Sequence, residues 1–334
     1  MEVKRDRMSK EYLNHKQASI ELGINEKTLT RIISEKQTPY TKKGREKLYL
    51  KSDIEALKGV EMPELPEQKI IVVHSGKGGT CKTTICNYLS NIMAKENLNV
   101  LVVDADPQHY FTRFWGSQLN EEEQGKIKTH NLLSLLEGEK KLVKCALPIN
   151  ERLHFIPGSR KLEHYDSLFA NSYGRELKMQ KALAPALAKY DYIIIDTSPS
   201  QGGVTIAALF AAHMLICPID PEVDSLDSAI ELTKSIDSIK RSEMNTHFSL
   251  SKLFILPVKQ KEGIFGGSFQ KEVLQEINSV FEGDNFATDI KILKPILNDK
   301  NIPEERWQGI FKDKTKAFTN HYESLREVFQ DGEI

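Results

Sequence analysis

No apolar run in this 334-residue chain approaches the roughly 20 residues a membrane-spanning helix needs, so no membrane association is expected. The N-terminal stretch MEVKRDRMSKEYLNHK carries charge but no apolar core, which argues against a secretory signal. Cysteine is scarce: Cys81, Cys86, Cys145 and Cys217, none in a C-x-x-C pair. That excludes a disulfide framework and a zinc ribbon, and a reducing cytoplasm is the expected compartment. The nine histidines show no H-E-x-x-H spacing, and there is no G-x-S-x-G elbow, internal repeat or low-complexity tract. Zinc hydrolase and serine hydrolase chemistry are therefore not indicated.

What is present is unevenly distributed. The net charge is only −1, yet residues 1–58 hold 14 Lys and Arg against 9 Asp and Glu. A basic module on a near-neutral body suggests a nucleic-acid partner at that end, although a merely solvated surface has the same charge signature. Residues 59–67, GVEMPELPE, have two prolines, several acids and no periodicity, and read as a linker. The expected division is 1–58, a small DNA-binding module; 59–67, the linker; and 68–334, the main domain.

The main domain alternates short apolar runs with helix-length segments. The runs are 69–74, 99–106, 153–157, 190–196, 214–219 and 252–258. Near-continuous Val, Ile and Leu imply strands buried on both faces. The expected fold is α/β: a doubly wound, mostly parallel sheet. The first run is followed by HSGKGGTCKTT (74–84) and then a helical stretch to about Glu96. Strand, Gly-rich loop and helix in that order are the context of a phosphate loop, whose backbone N–H groups converge on an anion at a helix N-terminus. Gly76, Lys77, Gly78, Gly79, Thr80, Cys81, Lys82, Thr83 and Thr84 are the candidate nucleotide cradle. Lys82 would reach the β- and γ-phosphates, and the Thr83 hydroxyl would ligate Mg2+. Two further runs end in acids, VLVVDADPQ at Asp104 and Asp106, and YIIIDTSPS at Asp196. Strand carboxyl ends are where open α/β sheets bind ligands, so Asp196 is a candidate magnesium residue. An acid capping a strand end is the alternative for either segment alone.

Together KGGxxKTT with Lys77, VDADPQ, YDYIIIDTSPS and AALFAAHMLICPIDPEVDSL resemble, in order and spacing, the ParA/MinD group of P-loop ATPases with a deviant Walker motif. They resemble most the larger ParA partition proteins that carry an N-terminal DNA-binding module. The resemblance is good from about 69 to 258 and weaker beyond. It implies that Lys77 crosses a dimer interface to the partner's nucleotide. It also implies that Asp106 positions the attacking water, that Asp104 supports the switch and the magnesium network, and that Asp196 is the Walker B acid. Pro218, Glu222 and Asp224 fall in the segment near base and ribose. ATP or ADP and Mg2+ are the implied cofactors; the [NT]-K-x-D guanine signature is absent, which favours adenine. Implied partners are a second copy in an ATP-dependent homodimer, DNA bound without sequence preference, and a ParB-like adaptor, with a nucleoid-associated location. Two positions depart from the family: Cys81, commonly Gly, and Ser198, near which Pro is common. A redox role for Cys81 is not expected, because a basic neighbour alone does not activate a thiol.

In the N-terminal module, residues 17–33 match a helix-turn-helix with its turn at Gly23. Ala18, Leu22, Ile24, Leu29 and Ile32 then take core positions, with Ser19 at the turn. Asn25 would cap a second helix that exposes Lys27, Thr28, Thr30 and Arg31 to a major groove. The following TPYTKKGREKLYLKSDIEALK reads as a basic hairpin wing and a short helix, similar to MerR-type winged modules. Lys42, Lys43, Arg45 and Lys47 would meet phosphates there. A small helical dimerisation or docking domain is the alternative. In the C-terminal FTNHYESLREVF, the stripe of Phe318, Tyr322, Leu325 and Phe329 reads as core packing, because Glu323 and Glu327 occupy the face a membrane helix would make basic. Arg306, Lys312, Lys314 and Lys316, or Lys259, Lys261 and Lys271, are candidates for DNA contact on the main domain. Rival readings are a nucleotide-gated transcriptional repressor and a MinD-like or cargo-positioning ATPase.

Overall fold

The computed structural model describes residues 12–22, 29, 33, 38–43, 46–57, 69–169, 171, 172, 174–241, 248–259, 268–281, 286, 288–295 and 324–329. The chain divides into two compact units, Met1–Leu65 and Pro66–Ile334.

In the first unit, β1 (Tyr12–Asn14), β2 (Thr41–Lys43) and β3 (Glu46–Leu50) form an antiparallel sheet in the order β1-β3-β2. Helix α1 (His15–Leu22) follows β1, and α2 (Lys51–Glu55) follows β3. The start of α1 is fixed by a reciprocal cap. Gln17 N–H donates to Asn14 Oδ1 at 2.9 Å, and Asn14 N–H donates to Gln17 Oε1 at 3.0 Å. Ala18, Leu29, Tyr49 and Ile54 make the small core, with Leu13, Leu22, Ile33 and Leu57 packed around it. Strands β2 and β3 pair where a hairpin wing was expected, with Lys42 opposite Lys47, and Lys42 and Lys43 exposed. Lys47 lies over the Tyr40 ring at 4.5 Å. Gly23, Ile24, Asn25, Lys27, Thr28, Thr30, Arg31, Ile32 and Arg45 lie outside the described residues, as does the linker 59–67.

The second unit is built on an eight-stranded sheet. Its strands are β4 (Lys69–Val73), β5 (Val100–Ala105), β6 (Leu147–Pro148), β7 (Leu153–Ile156), β8 (Tyr192–Thr197), β9 (Met214–Ile219), β10 (Lys252–Pro257) and β11 (Asp289–Ile292). The order is β11-β10-β9-β4-β8-β5-β7-β6, all parallel except the antiparallel edge strand β6. All six apolar runs are strands. Alternate residues of β4 feed two separate cores, Ile70 and Val72 on one face, Ile71 and Val73 on the other. That double burial explains why these strands read as unbroken apolar runs rather than alternating ones.

One face is covered by α3 (Lys82–Lys95), α4 (Tyr110–Gly116) and residues 324–329; the other by α5 (Gly203–Ala211), α6 (Val223–Arg241) and α7 (Ser268–Phe281). Leu325 and Phe329 are buried, as core packing requires, while Phe318, Tyr322 and Glu323 lie outside the described residues. Among the described residues no helix is long and apolar enough to cross a membrane.

Candidate functional site

The strand order reverses at β4: β8 and β5 lie on one side of it and β9 and β10 on the other. The carboxyl ends of all five strands meet at the loop 74–81 that joins β4 to α3. Two of its residues adopt left-handed backbone, Gly79 at φ 77° and Cys81 at φ 65°. Cys81 is the N-cap of α3. The family's common glycine at Cys81 therefore has a conformational reason, and this chain holds the same turn with a small side chain at a cost of about 1 kcal/mol. At Gly76 the reason is space: an added Cβ would come within 2.4 Å of Ser228 Oγ on α6.

Lys82 is buried at the start of α3, and its Nζ donates to the loop carbonyls of Ser75 at 3.3 Å and Lys77 at 2.9 Å. Burial lowers its pKa, opposed by the charges of Asp196 and Asp106. One residue on, Thr83 Oγ1 donates to Asp196 Oδ2 at 2.7 Å. Asp196 is fully buried, and its Oδ1 has no hydrogen-bond partner. Across the sheet it stands in register with Asp104 on β5. Burial, and then the neighbouring Asp104, push its carboxyl up to about 8. An orphaned carboxylate oxygen beside a hydroxyl is a hard, all-oxygen donor set of the kind magnesium takes, so Thr83 and Asp196 fit that ion.

Asp104, buried beside Asp196, is hydrogen-bonded through both oxygens. Its Oδ2 accepts from Thr112 N at 2.8 Å and Thr112 Oγ1 at 2.5 Å, and its Oδ1 from Asp106 N at 3.2 Å. Thr112 Oγ1 in turn accepts from Gly158 N at 2.7 Å, and a Cβ at Gly158 would meet Asp104 at 2.9 Å. Burial raises Asp104 to about 6 against these hydrogen bonds. Through these bonds Asp104 ties the end of β5 to α4 and to the turn that precedes it. Asp106, also buried, accepts from Gln108 N at 2.8 Å and so shapes the turn into α4.

Lys77 folds back on its own chain. Its Nζ is 3.2 Å from Asp220 Oδ1 and also pairs with Glu222. Partial desolvation lowers its pKa, but the bonds to Glu222 and Asp220 outweigh that and hold it raised. Pro218 is inside β9, paired in register with Leu256, and Asp224 opens α6 on its exposed side. Thr80 is buried in the loop, Thr84 is half-buried on α3, and Gly78 is exposed. Burial raises the Cys81 thiol despite Lys259 and Lys82, so it is not an activated nucleophile.

Sequence reasoning passed over several residues that the fold brings here. Asp220 follows the apolar run MLICPI, the same acid-after-strand signal that marked Asp104 and Asp196. Lys259, expected only as a DNA contact, follows FILPV at the end of β10, and its Nζ lies 3.5 Å from Asp220 Oδ2. His74 is buried with Nδ1 2.9 Å from Thr197 Oγ1, linking the loop to the end of β8.

With this geometry the family is decided by residues 68–250, which match the AAA_31 family, described as an AAA domain. The chain belongs to this family, as a ParA-type partition ATPase. The chromosome partitioning protein ParA of Myxococcus xanthus is 28% identical over 219 residues, 65% of this chain and 73% of that one. The maintenance of carboxysome distribution protein A of Synechococcus elongatus is 25% identical over 233 residues, 70% of this chain and 87% of that one. A plasmid partition protein of Borrelia burgdorferi, solved with AMPPNP, has the same fold: TM-score 0.63 at 20% identity, over 79% of this chain and 99% of that one. The second unit is thus a P-loop NTPase fold with its loop at the switch point of the sheet.

Proposed function

We propose that the chain is an ATP-hydrolysing positioning protein that partitions DNA. The observation that carries this reading is the Thr83 hydroxyl bonded to Asp196 under a loop capped by Lys82. Loop N–H groups and Lys82 bind the phosphates, and Asp106 orients the attacking water. A magnesium ion at Thr83 and Asp196 would supply charge neutralisation on the β- and γ-phosphates. Lys77, presented in trans, adds charge only when two subunits meet, so ATP acts between them. The ATP-bound dimer holds DNA without sequence preference, and a ParB-like adaptor stimulates hydrolysis and release. The N-terminal unit binds operator DNA through a winged helix-turn-helix; the exposed Lys42 and Lys43 on β2, which pairs with β3, support that use. The protein acts in the cytoplasm on the nucleoid.

Cargo positioning without plasmid DNA is a second reading, favoured by the carboxysome-distribution relative. The test is ATP-dependent binding to random-sequence DNA. Lys82→Ala abolishes it and Asp106→Ala traps the bound state; binding by both like wild type, whatever the nucleotide, refutes the switch. Operator footprinting in ADP against ATP separates a repressor role. Sedimentation with liposomes and no DNA binding points to a MinD-like role.

A further inference from the structure

Lys259 was grouped by sequence with lysines that meet DNA, but the fold turns it toward the phosphate loop. It follows β10, itself paired to β9, and its own backbone is left-handed at φ 56°. Its Nζ lies 3.8 Å from where a Cβ on Gly79 would stand and 3.5 Å from Asp220 Oδ2. Gly79 is the other loop residue with positive φ, so no side chain of its own fills that space. Asp220 is buried and divides its two oxygens between Lys77 and Lys259. At 3.5 Å the second pair is long, and 38% of the Lys259 side chain is exposed, so the ammonium is held but not sequestered. A phosphate accepting from the loop N–H groups would sit within reach of it, and its charge would draw the ammonium from the single carboxylate.

We propose that Lys259 is a third phosphate-neutralising lysine of the nucleotide site, beside Lys82 and Lys77, which stands over Gly79 and for whose ammonium Asp220 competes with the phosphate. This inference rests on the reading of the loop as a nucleotide site. Because its amine meets the loop from within one chain, it acts on bound nucleotide in the monomer, before any partner contributes.

Fluorescence titration of the full chain with mant-ADP and mant-ATP tests it. Lys259→Gln is expected to weaken both about tenfold and to make binding less sensitive to salt, while Lys259→Arg stays within about threefold of wild type. Asp220→Asn frees the ammonium and tightens binding. Thermal unfolding in the same buffer separates lost charge from lost fold. Unchanged mant-ADP affinity in folded Lys259→Gln, Arg as weak as Gln, or weaker binding by Asp220→Asn each overturns the proposal while the nucleotide site stands. If wild type binds neither probe, the nucleotide reading falls and this one with it. Loss of random-DNA binding alone in Lys259→Gln returns the residue to the DNA surface.

Discussion

Asp196 is a carboxylate kept where a carboxylate is costly: fully buried, opposite Asp104, with one oxygen unpartnered. Its pKa is raised from 3.8 to about 8. An acid so shifted favours the fold at low pH, and that contribution is lost as pH climbs from about 4 through 8. Asp196→Asn, which removes the charge and keeps the shape, is therefore expected to stabilise the protein without nucleotide at pH 8, by on the order of 1–3 kcal/mol, and much less at pH 5. The same variant loses ATP hydrolysis. Urea unfolding at the two pH values and a phosphate-release assay read both; a variant less stable than wild type at pH 8 would sink the argument. His74 has the opposite sign. Burial first, then Lys82, lower it from 6.5 to about 4, so its neutral ring favours the fold above pH 6.5 and costs stability as pH falls to 4. A His74→Gln chain should lose less stability over that window, seen as a flatter acid limb in the same unfolding series.

At the scale of elements, the loop is seated on α6 as well as on α3. Gly76 leaves room for Ser228 Oγ, which an added Cβ would approach to 2.4 Å, whereas Ser228 Cβ would be 3.7 Å away. Gly76→Ala alone is thus expected to cost about 1 kcal/mol and weaken nucleotide binding, and Ser228→Ala beside it to restore most of both. A double-mutant cycle measures this; additive losses would mean the two residues do not touch. The loop's existence was legible from KGGTCKTT because positive φ at Gly79 and Cys81 and a following helix impose such a composition. Its seat on α6 was not, because Ser228 reaches Gly76 only through the packing of a helix more than 140 residues away. The short strands β6 and β11 escaped notice for another reason: two or four partly exposed edge residues carry no apolar run.

For the molecule as a whole, the parallel sheet could be read from its six doubly buried runs, and the site followed at their carboxyl ends. What sequence could not give was the partner of each charge, since register and strand order decide that. Lys77 is the case in point: its motif implies a role across a dimer, yet within one chain it is tied to Asp220 and Glu222. Both states follow from one side chain if nucleotide makes the second subunit's phosphates the stronger attractor. The intrachain pair is partly exposed and worth about 1 kcal/mol or less, so it sets a modest threshold rather than a lock. Lys77→Ala should then bind mant-ATP within a few-fold of wild type, since Lys82 and the loop N–H groups remain. It should fail to dimerise at ATP concentrations that dimerise wild type, and hydrolyse ATP at least 10-fold more slowly, about 1.4 kcal/mol of lost transition-state stabilisation. Light scattering after size exclusion, with ATP and with ADP, reads the assembly directly. An ATP-dependent dimer of normal stability in Lys77→Ala would confine that lysine to its own chain and leave dimerisation to be carried by other surfaces.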